Sequence, residues 1–399
     1  MAGLVVAIAA ASGAGVRFIS SSVTELNYSE LRYVTSAIAV LLSWALFTKM
    51  MPLVIREFWW LALFFFAAIS LAWAPSVRES FIAYAGWVCA VLIGALLAVL
   101  LDRDKASRLI LSVMFWLSMA SLALMIFVPS LGRIPARRPD GTIEQMAVGV
   151  FAWNSELGLV AGVGTILAFA FWLTGRRKSH LLRAVLMLGV SVLSDSATGI
   201  SALAVALVAT TWACVPRLRP LIWVLAAAIG VLWLTGGIDA LQVHVLNLLG
   251  RPQDLSGRSV IWQLALGLAS EKPALGYGIG GSPDLRQYLG FDTHAHNGYI
   301  QLLLELGYVG AAIIGFGLLV TTGRAMKAHS PLLGVLALVL VSNIANNYLM
   351  TANVSVALLA WVVFALAKPS RQDETAALLS GTANARKSSF ARSSSLARF

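Results

Sequence analysis

Apolar runs long enough to cross about 30 Å of hydrocarbon as α-helices recur along this chain of 399 residues. They predict spans at 4–24, 33–49, 58–74, 81–100, 108–128, 149–173, 182–195, 198–215, 219–236, 298–320, 331–348 and 351–367. A bilayer holds no water to take up free backbone groups, so runs of this kind close their hydrogen bonds internally, as helices. Composition agrees: 59% of residues are hydrophobic, 12% are charged and the mean hydropathy is +0.83, far from a soluble domain of average make-up. The expected fold is an all-α polytopic membrane protein with about 12 transmembrane helices and one long external loop containing amphipathic helices. The runs at 182–195 and 198–215 are short and closely spaced, and read equally as one re-entrant hairpin. The opening MAGLVVAIAAASGAGV has no basic start of the secretory kind, since Arg17 follows the apolar run, and it reads as the first span. Cys89 and Cys214 fall inside apolar runs, where they read as packing residues. No internal repeat is visible.

Lysine and arginine orient the spans, because basic residues stay on the cytoplasmic side. With the N-terminus inside, 19 basic residues fall in cytoplasmic segments and nine outside, Arg17 being unassigned. Both termini are then cytoplasmic. The chain divides into spans one to nine (1–236), a long external loop (237–297), the last three spans (298–367) and a basic, disordered cytoplasmic tail (368–399). The net charge of +11 comes mainly from inner-face anchors and this tail, RKSSFARSSSLARF, which suits anionic membrane lipid. It does not point to nucleic acid.

The segments with chemical content all fall outside: WAPSVRES (73–80), the loop from Pro129 to Gly149, SDSATG (194–199) and the long loop. Within the long loop, Ser256 to Ala269 has the apolar spacing of a helix lying along the membrane interface. Arg258 stands near its start, where a fork-shaped cation at the positive end of a helix dipole suits phosphate oxygens; a lipid headgroup would suit it as well. GYGIGG (276–281) lacks the strand and crossover helix of a dinucleotide loop and reads as a tight turn.

In FDTHAHNGYIQLLLELG (291–307), His294 and His296 stand at the lip of a span. A metal would need a further ligand such as Asp292 or His244. A general base would need one neutral imidazole near an acceptor hydroxyl, and a purely structural histidine would hydrogen-bond at the helix start. Asn297 is a candidate N-cap that would turn the following N–H groups toward the outer cleft. Glu305 lies about two turns further in, where a carboxylate requires a partner. Arg78, Arg133, Arg137 and Arg138 offer further cations, or ordinary solvated loop charges. Ser196 and Thr198 offer hydroxyls, either to a substrate or to the backbone at a helix break.

The succession GRSVIW, PALGYGIGG and HAHNGYIQLLLELGYVG, from Gly250 to Gly310, resembles the O-antigen ligase and polysaccharide repeat-unit polymerase family, the exopolysaccharide polymerases in particular. SLAWAPSVRES and GVFAWNSELG are weaker echoes, the second with Trp153 and Ser155 where the family usually has histidine and asparagine. The resemblance implies a GT-C-like glycosyltransferase of the bacterial inner membrane with a periplasmic site. It would take a glycan from undecaprenyl pyrophosphate and pass it to an acceptor hydroxyl, on a glycan or on lipid A core, without metal or other cofactor. It assigns Arg258 to the pyrophosphate and His296 to the base or the positioning of the acceptor. Ala197 occupies a place where a basic residue is common, which leaves Arg78, Arg137, Arg138 and Arg286 as candidates for a second pyrophosphate contact. A chain-length regulator protein is a candidate partner. Attack at the anomeric carbon expels a pyrophosphate, and fixed cations with a base lower that barrier. A transporter is the competing class, but its polar sites would gather near the bilayer midplane on paired broken helices.

Overall fold

The computed structural model of the chain describes residues 47–137, 143–151, 153–234, 258–282, 295–327, 330 and 332–347. The elements run α1 (Phe47–Arg56), α2 (Phe58–Ile69), a 3₁₀ turn (Ser70–Trp73), α3 (Val77–Leu100), α4 (Arg103–Phe127), a short α5 (Pro129–Gly132), β1 (Arg133–Arg137) and β2 (Ile143–Ala147). They continue with α6 (Asn154–Gly175), α7 (Lys178–Leu193), α8 (Ala197–Cys214), a 3₁₀ turn (Pro216–Leu218), α9 (Arg219–Leu234), α10 (Arg258–Glu271), α11 (Gly298–Lys327) and α12 (Leu333–Ser342). Among the described residues α3, α4, α6, α8 and α11 are long and apolar enough to cross a membrane.

Helix α6 is the hub. From Leu157 to Ala168 every residue is buried, which marks a helix enclosed on all sides. Small residues let its neighbours close in, as is usual where apolar helices pack without a hydrophobic drive between them. A β-carbon at Gly162 would stand 3.3 Å from Leu338 Cδ2, and one at Gly158 would stand 2.9 Å from Ser194 Oγ. Outward faces carry large apolar side chains instead, with Leu319 74% and Trp116 69% exposed. A chain whose surface is this apolar meets hydrocarbon, not water.

The charged and polar connections between the long helices fall into two groups. At one end, Asp102 caps α4 by accepting from Lys105 N at 2.8 Å, and the guanidinium of Arg108 lies 5.5 Å from the Phe171 ring while that of Arg183 lies 5.3 Å from Phe115. His180 sits among them, its imidazole held below the usual range by burial first and then by Arg183, Arg177 and Arg108. Glu57, 1% exposed, anchors the same end by pairing with Arg324 and accepting from Trp59 Nε1 at 3.2 Å. The opposite end collects the starts of α3, α6, α8 and α11.

Three expectations change. The loop between Pro129 and Gly149 contains an antiparallel hairpin pairing Arg133 with Ala147 and Arg137 with Ile143, tied down where Ser121 Oγ accepts from Val150 N at 3.2 Å. Helix α1 runs across the expected boundary at 49, with Pro52 inside it. The span beginning at Gly298 is broken at Gly307, whose φ of 59° and ψ of −162° are not helical.

Candidate functional site

The break in α11 is filled by the glycine segment that precedes it. Leu304 and Glu305 would lose their i+4 partners where the helix stops, and their carbonyls accept instead from Tyr277 N and Gly278 N, both at 2.8 Å. Tyr308 N and Val309 N, which begin the second half, donate to Pro273 O at 2.8 Å and Ala274 O at 3.1 Å. PALGYGIGG thus completes the backbone of a discontinuous helix, the condition for irregular chain at membrane depth. Glycine is required at this approach: Gly276 has φ +65° and a β-carbon there would stand 2.6 Å from Glu305 O, while Gly278 has φ +91° with Ser70 O at 2.7 Å from the same place. The reading of GYGIGG as a tight turn holds; what it turns around is the break.

The same loop reaches the SLAWAPS segment. Ile279 N donates to Ser70 Oγ at 3.0 Å, and Gly280 lies against Ser80 in the first turn of α3. Ser76 caps that helix, accepting from Glu79 N at 3.5 Å, and Arg78 is exposed in its first turn. Helix α10 starts at Arg258 and packs Ile261, Ala265, Leu268 and Ala269 against Ala295, Ile300 and Leu304. Since its other end leads directly into the break at Pro273, α10 runs antiparallel to the first half of α11. The Arg258 end therefore lies at the level of the Ala295–Asn297 turn. Trp262 follows one helical turn after Arg258, on the same face.

In the turn itself, Ala295 is fully buried and His296 is half-buried with φ +46°, a left-handed conformation that crowds a β-carbon. Asn297 is the helix cap: its Oδ1 accepts from Tyr299 N at 3.0 Å and Ile300 N at 3.1 Å. Gly298 N donates to Asn343 O and Asn346 O, at 2.8 and 2.9 Å. This corrects the expectation that these N–H groups face the cleft, because the cap and the end of α12 consume them. Only the dipole of the helix remains to favour an anion. Glu305 has the partners it requires, Gly280 N at 3.0 Å and Gln301 Nε2 at 2.7 Å.

Ser196 caps α8, accepting from Gly199 N at 3.2 Å, which favours the backbone role for this hydroxyl. Asp195 beside it has φ +50°. Arg133 and Arg137 lie on β1, so Arg133 stands where the hairpin leaves α5 and Arg137 where it approaches its tip. Arg138, Arg286, His294, Asp292 and His244 lie outside the described residues, as do Gly257 and the tail. Several contributors escaped the sequence reading. Gln301, Ser70 and Asn343 bind the segments together, and the buried atoms Trp73 Nε1, Ser80 Oγ, Trp262 Nε1 and Ser342 Oγ at this end have no hydrogen-bond partner among the described residues. Gln301 alone had a visible signal, a polar residue one turn before Glu305 in an otherwise apolar run.

Comparison with known proteins finds two similarities. Residues 182–315 match the family described as O-antigen ligase, a stretch containing Ser196, Arg258, the glycine loop, His296, Asn297 and Glu305. The exopolysaccharide production protein ExoQ of Rhizobium meliloti (strain 1021) is 27% identical over 205 residues, 44% of this chain and 45% of that protein. The match spans less than half of the relative's length. The resemblance carried by GRSVIW, PALGYGIGG and HAHNGYIQLLLELGYVG is borne out.

Proposed function

We propose that this chain is a polysaccharide polymerase that transfers undecaprenyl-pyrophosphate-linked repeat units onto an acceptor glycan at the periplasmic face of the bacterial inner membrane. The observation that carries the reading is the antiparallel pair of α10 and α11, which brings a fixed cation, Arg258, and an imidazole, His296, to one end of a single packed unit. In the reaction the acceptor oxygen attacks the anomeric carbon, a carbon–oxygen bond forms, and the bond to undecaprenyl pyrophosphate breaks. His296 takes the hydroxyl proton, while Arg258 and the dipoles of helices starting at this end stabilise charge on the leaving oxygens. Arg78, Arg137, Arg138 and Arg286 remain the candidates for a second cation, and His294 for a neighbour of the base. No step requires a metal or an organic cofactor.

The name of the relative, exopolysaccharide production, favours a polymerase. The family description, O-antigen ligase, supports a second reading in which the acceptor is lipid A core or a protein and the site chemistry is unchanged. Transport is a distant third, because the broken helix occurs without the paired counterpart that transporters carry among the described residues. The deciding experiment reconstitutes the purified protein with the lipid-linked repeat unit and separates products by size, beside His296→Ala and Arg258→Ala. A ladder of lengthening lipid-linked glycans, lost in both variants at equal protein level, is the expected result. Transfer only after lipid A core is added makes the protein a ligase. Ladders of normal length in both variants would remove these residues from the mechanism, and silence in both assays would remove glycan transfer.

A further inference from the structure

Glu305 is 4% exposed inside a membrane-spanning helix, where a carboxylate persists only with a defined task. Its two oxygens face two separate donors. Oε2 accepts from Gly280 N at 3.0 Å, in the glycine loop. Oε1 accepts from Gln301 Nε2 at 2.7 Å, one turn back along α11. Gln301 in turn offers its own Oε1 to Ala295 N at 3.4 Å and shares its amide with Ser282 Oγ at 3.1 Å. Glu305 also holds the loop through its backbone, its carbonyl accepting from Gly278 N at 2.8 Å. One residue therefore touches the loop at two points and reaches, through a single intermediary, the amide immediately before His296.

We propose that Glu305 is a positioning residue, whose carboxylate clamps the glycine loop and the Gln301 amide so that His296 is held in its left-handed turn at the helix start. The bonds from Gly280 to Glu305, Glu305 to Gln301 and Gln301 to Ala295 pass through side chains, so they are the part of the site that a single substitution can open. A carboxylate suits the task because both of its oxygens accept hydrogen bonds, whereas an amide in the same place has one acceptor for two donors and turns its NH₂ against the other. The misplacement expected from losing one of these bonds is small, yet an error of about 1 Å in a catalytic group lowers turnover by about 100-fold. Only its catalytic consequence rests on the glycan-transfer reading; the clamp itself does not.

The test compares Glu305→Gln and Gln301→Met with the wild-type chain in lipid nanodiscs, with the folded fraction of each measured first. Gln301→Met keeps the carboxylate and the side-chain volume but cuts the connection to Ala295, so it tests the clamp even where the Glu305 variant folds poorly. Expected is a fall in kcat of about 10- to 100-fold per folded molecule with KM for the lipid-linked donor unchanged. Amide hydrogen exchange should quicken over residues 276–282 and 295–301 in Glu305→Gln, and over 295–301 in Gln301→Met. Exchange at wild-type rates in both variants would overturn the clamp. Faster exchange with unchanged kcat, or a loss confined to KM, would overturn the positioning of His296. A wild-type protein that transfers no glycan would defeat the functional reading alone, because the exchange measurement still decides whether the carboxylate holds the turn.

Discussion

His296 and Gly278 both hold positive φ, +46° and +91°, and substitution separates their roles. A left-handed residue with a β-carbon costs about 1–2 kcal/mol relative to glycine in the folded state, and glycine returns about 0.5–1 kcal/mol of that through greater freedom in the unfolded chain. His296→Gly should therefore unfold within about 1 kcal/mol of wild type while abolishing glycan transfer. A thermal midpoint that drops steeply would instead assign the imidazole a packing role. Gly278→Ala should behave in the opposite sense. Its β-carbon would stand 2.7 Å from Ser70 O and 2.9 Å from Ala74 Cβ, both on a segment pinned by Ile279 N, so neither can retreat. Loss of folded protein in detergent is the expected outcome, and a wild-type midpoint would show that the loop is not seated as described. The type of turn was legible from the glycines; the partner was not, because the contact is with backbone carbonyls, which every residue possesses.

At the scale of elements, local chemistry was readable where it acts within a few residues. Asn297 caps α11, Ser196 caps α8, and the helix beginning at Arg258 follows the apolar spacing that predicted it. The hairpin at 133–147 was missed, although the sequence between its strands contains Pro139, Asp140 and Gly141, residue types that favour a turn. Charged and proline residues in RIPAR hid its alternation. The broken helix was missed for a different reason: the apolar run continues through Gly307, and only the loop some thirty residues earlier in the chain makes the interruption affordable. The cap at 297 permits a test that separates stability from chemistry. Asn297→Ala removes the acceptor for two N–H groups and should cost about 0.5–2 kcal/mol. Asn297→Asp keeps the acceptor, and its charge suits a helix N-terminus, so its thermal midpoint should match wild type. The same carboxylate would repel a pyrophosphate, so the donor KM should rise several-fold. A donor KM equal to wild type in the aspartate variant would mean that the anionic donor does not approach this turn.

The whole molecule is polarised along its helices. The length of the apolar runs predicted most of the helices and the distribution of Lys and Arg predicted their orientation, but the count of twelve spans extends beyond the described residues. The long-range joins that assemble the site, Gly280 to Glu305 and Gly298 to Asn343, had no counterpart in local pattern. Their consequence is geometric: segments from five parts of the chain meet at the end away from Arg108, Arg176 and Arg183. If basic residues are retained on the cytoplasmic side, the two ends must answer differently to a membrane-impermeant thiol reagent. Cys89 is buried and Cys214 is partly exposed at the basic end, so a Cys214→Ser background gives a clean baseline. Arg133→Cys, at the exposed start of the hairpin, should label in intact spheroplasts. Lys105→Cys, 71% exposed at the opposite end, should label only after the membrane is permeabilised. The reverse pattern would invert the molecule and put its glycine loop and His296 on the cytoplasmic side. Labelling of both positions in intact cells would mean that the two ends do not lie on opposite sides of the bilayer, and a site built at one end would then have no defined compartment in which to meet a lipid-linked donor.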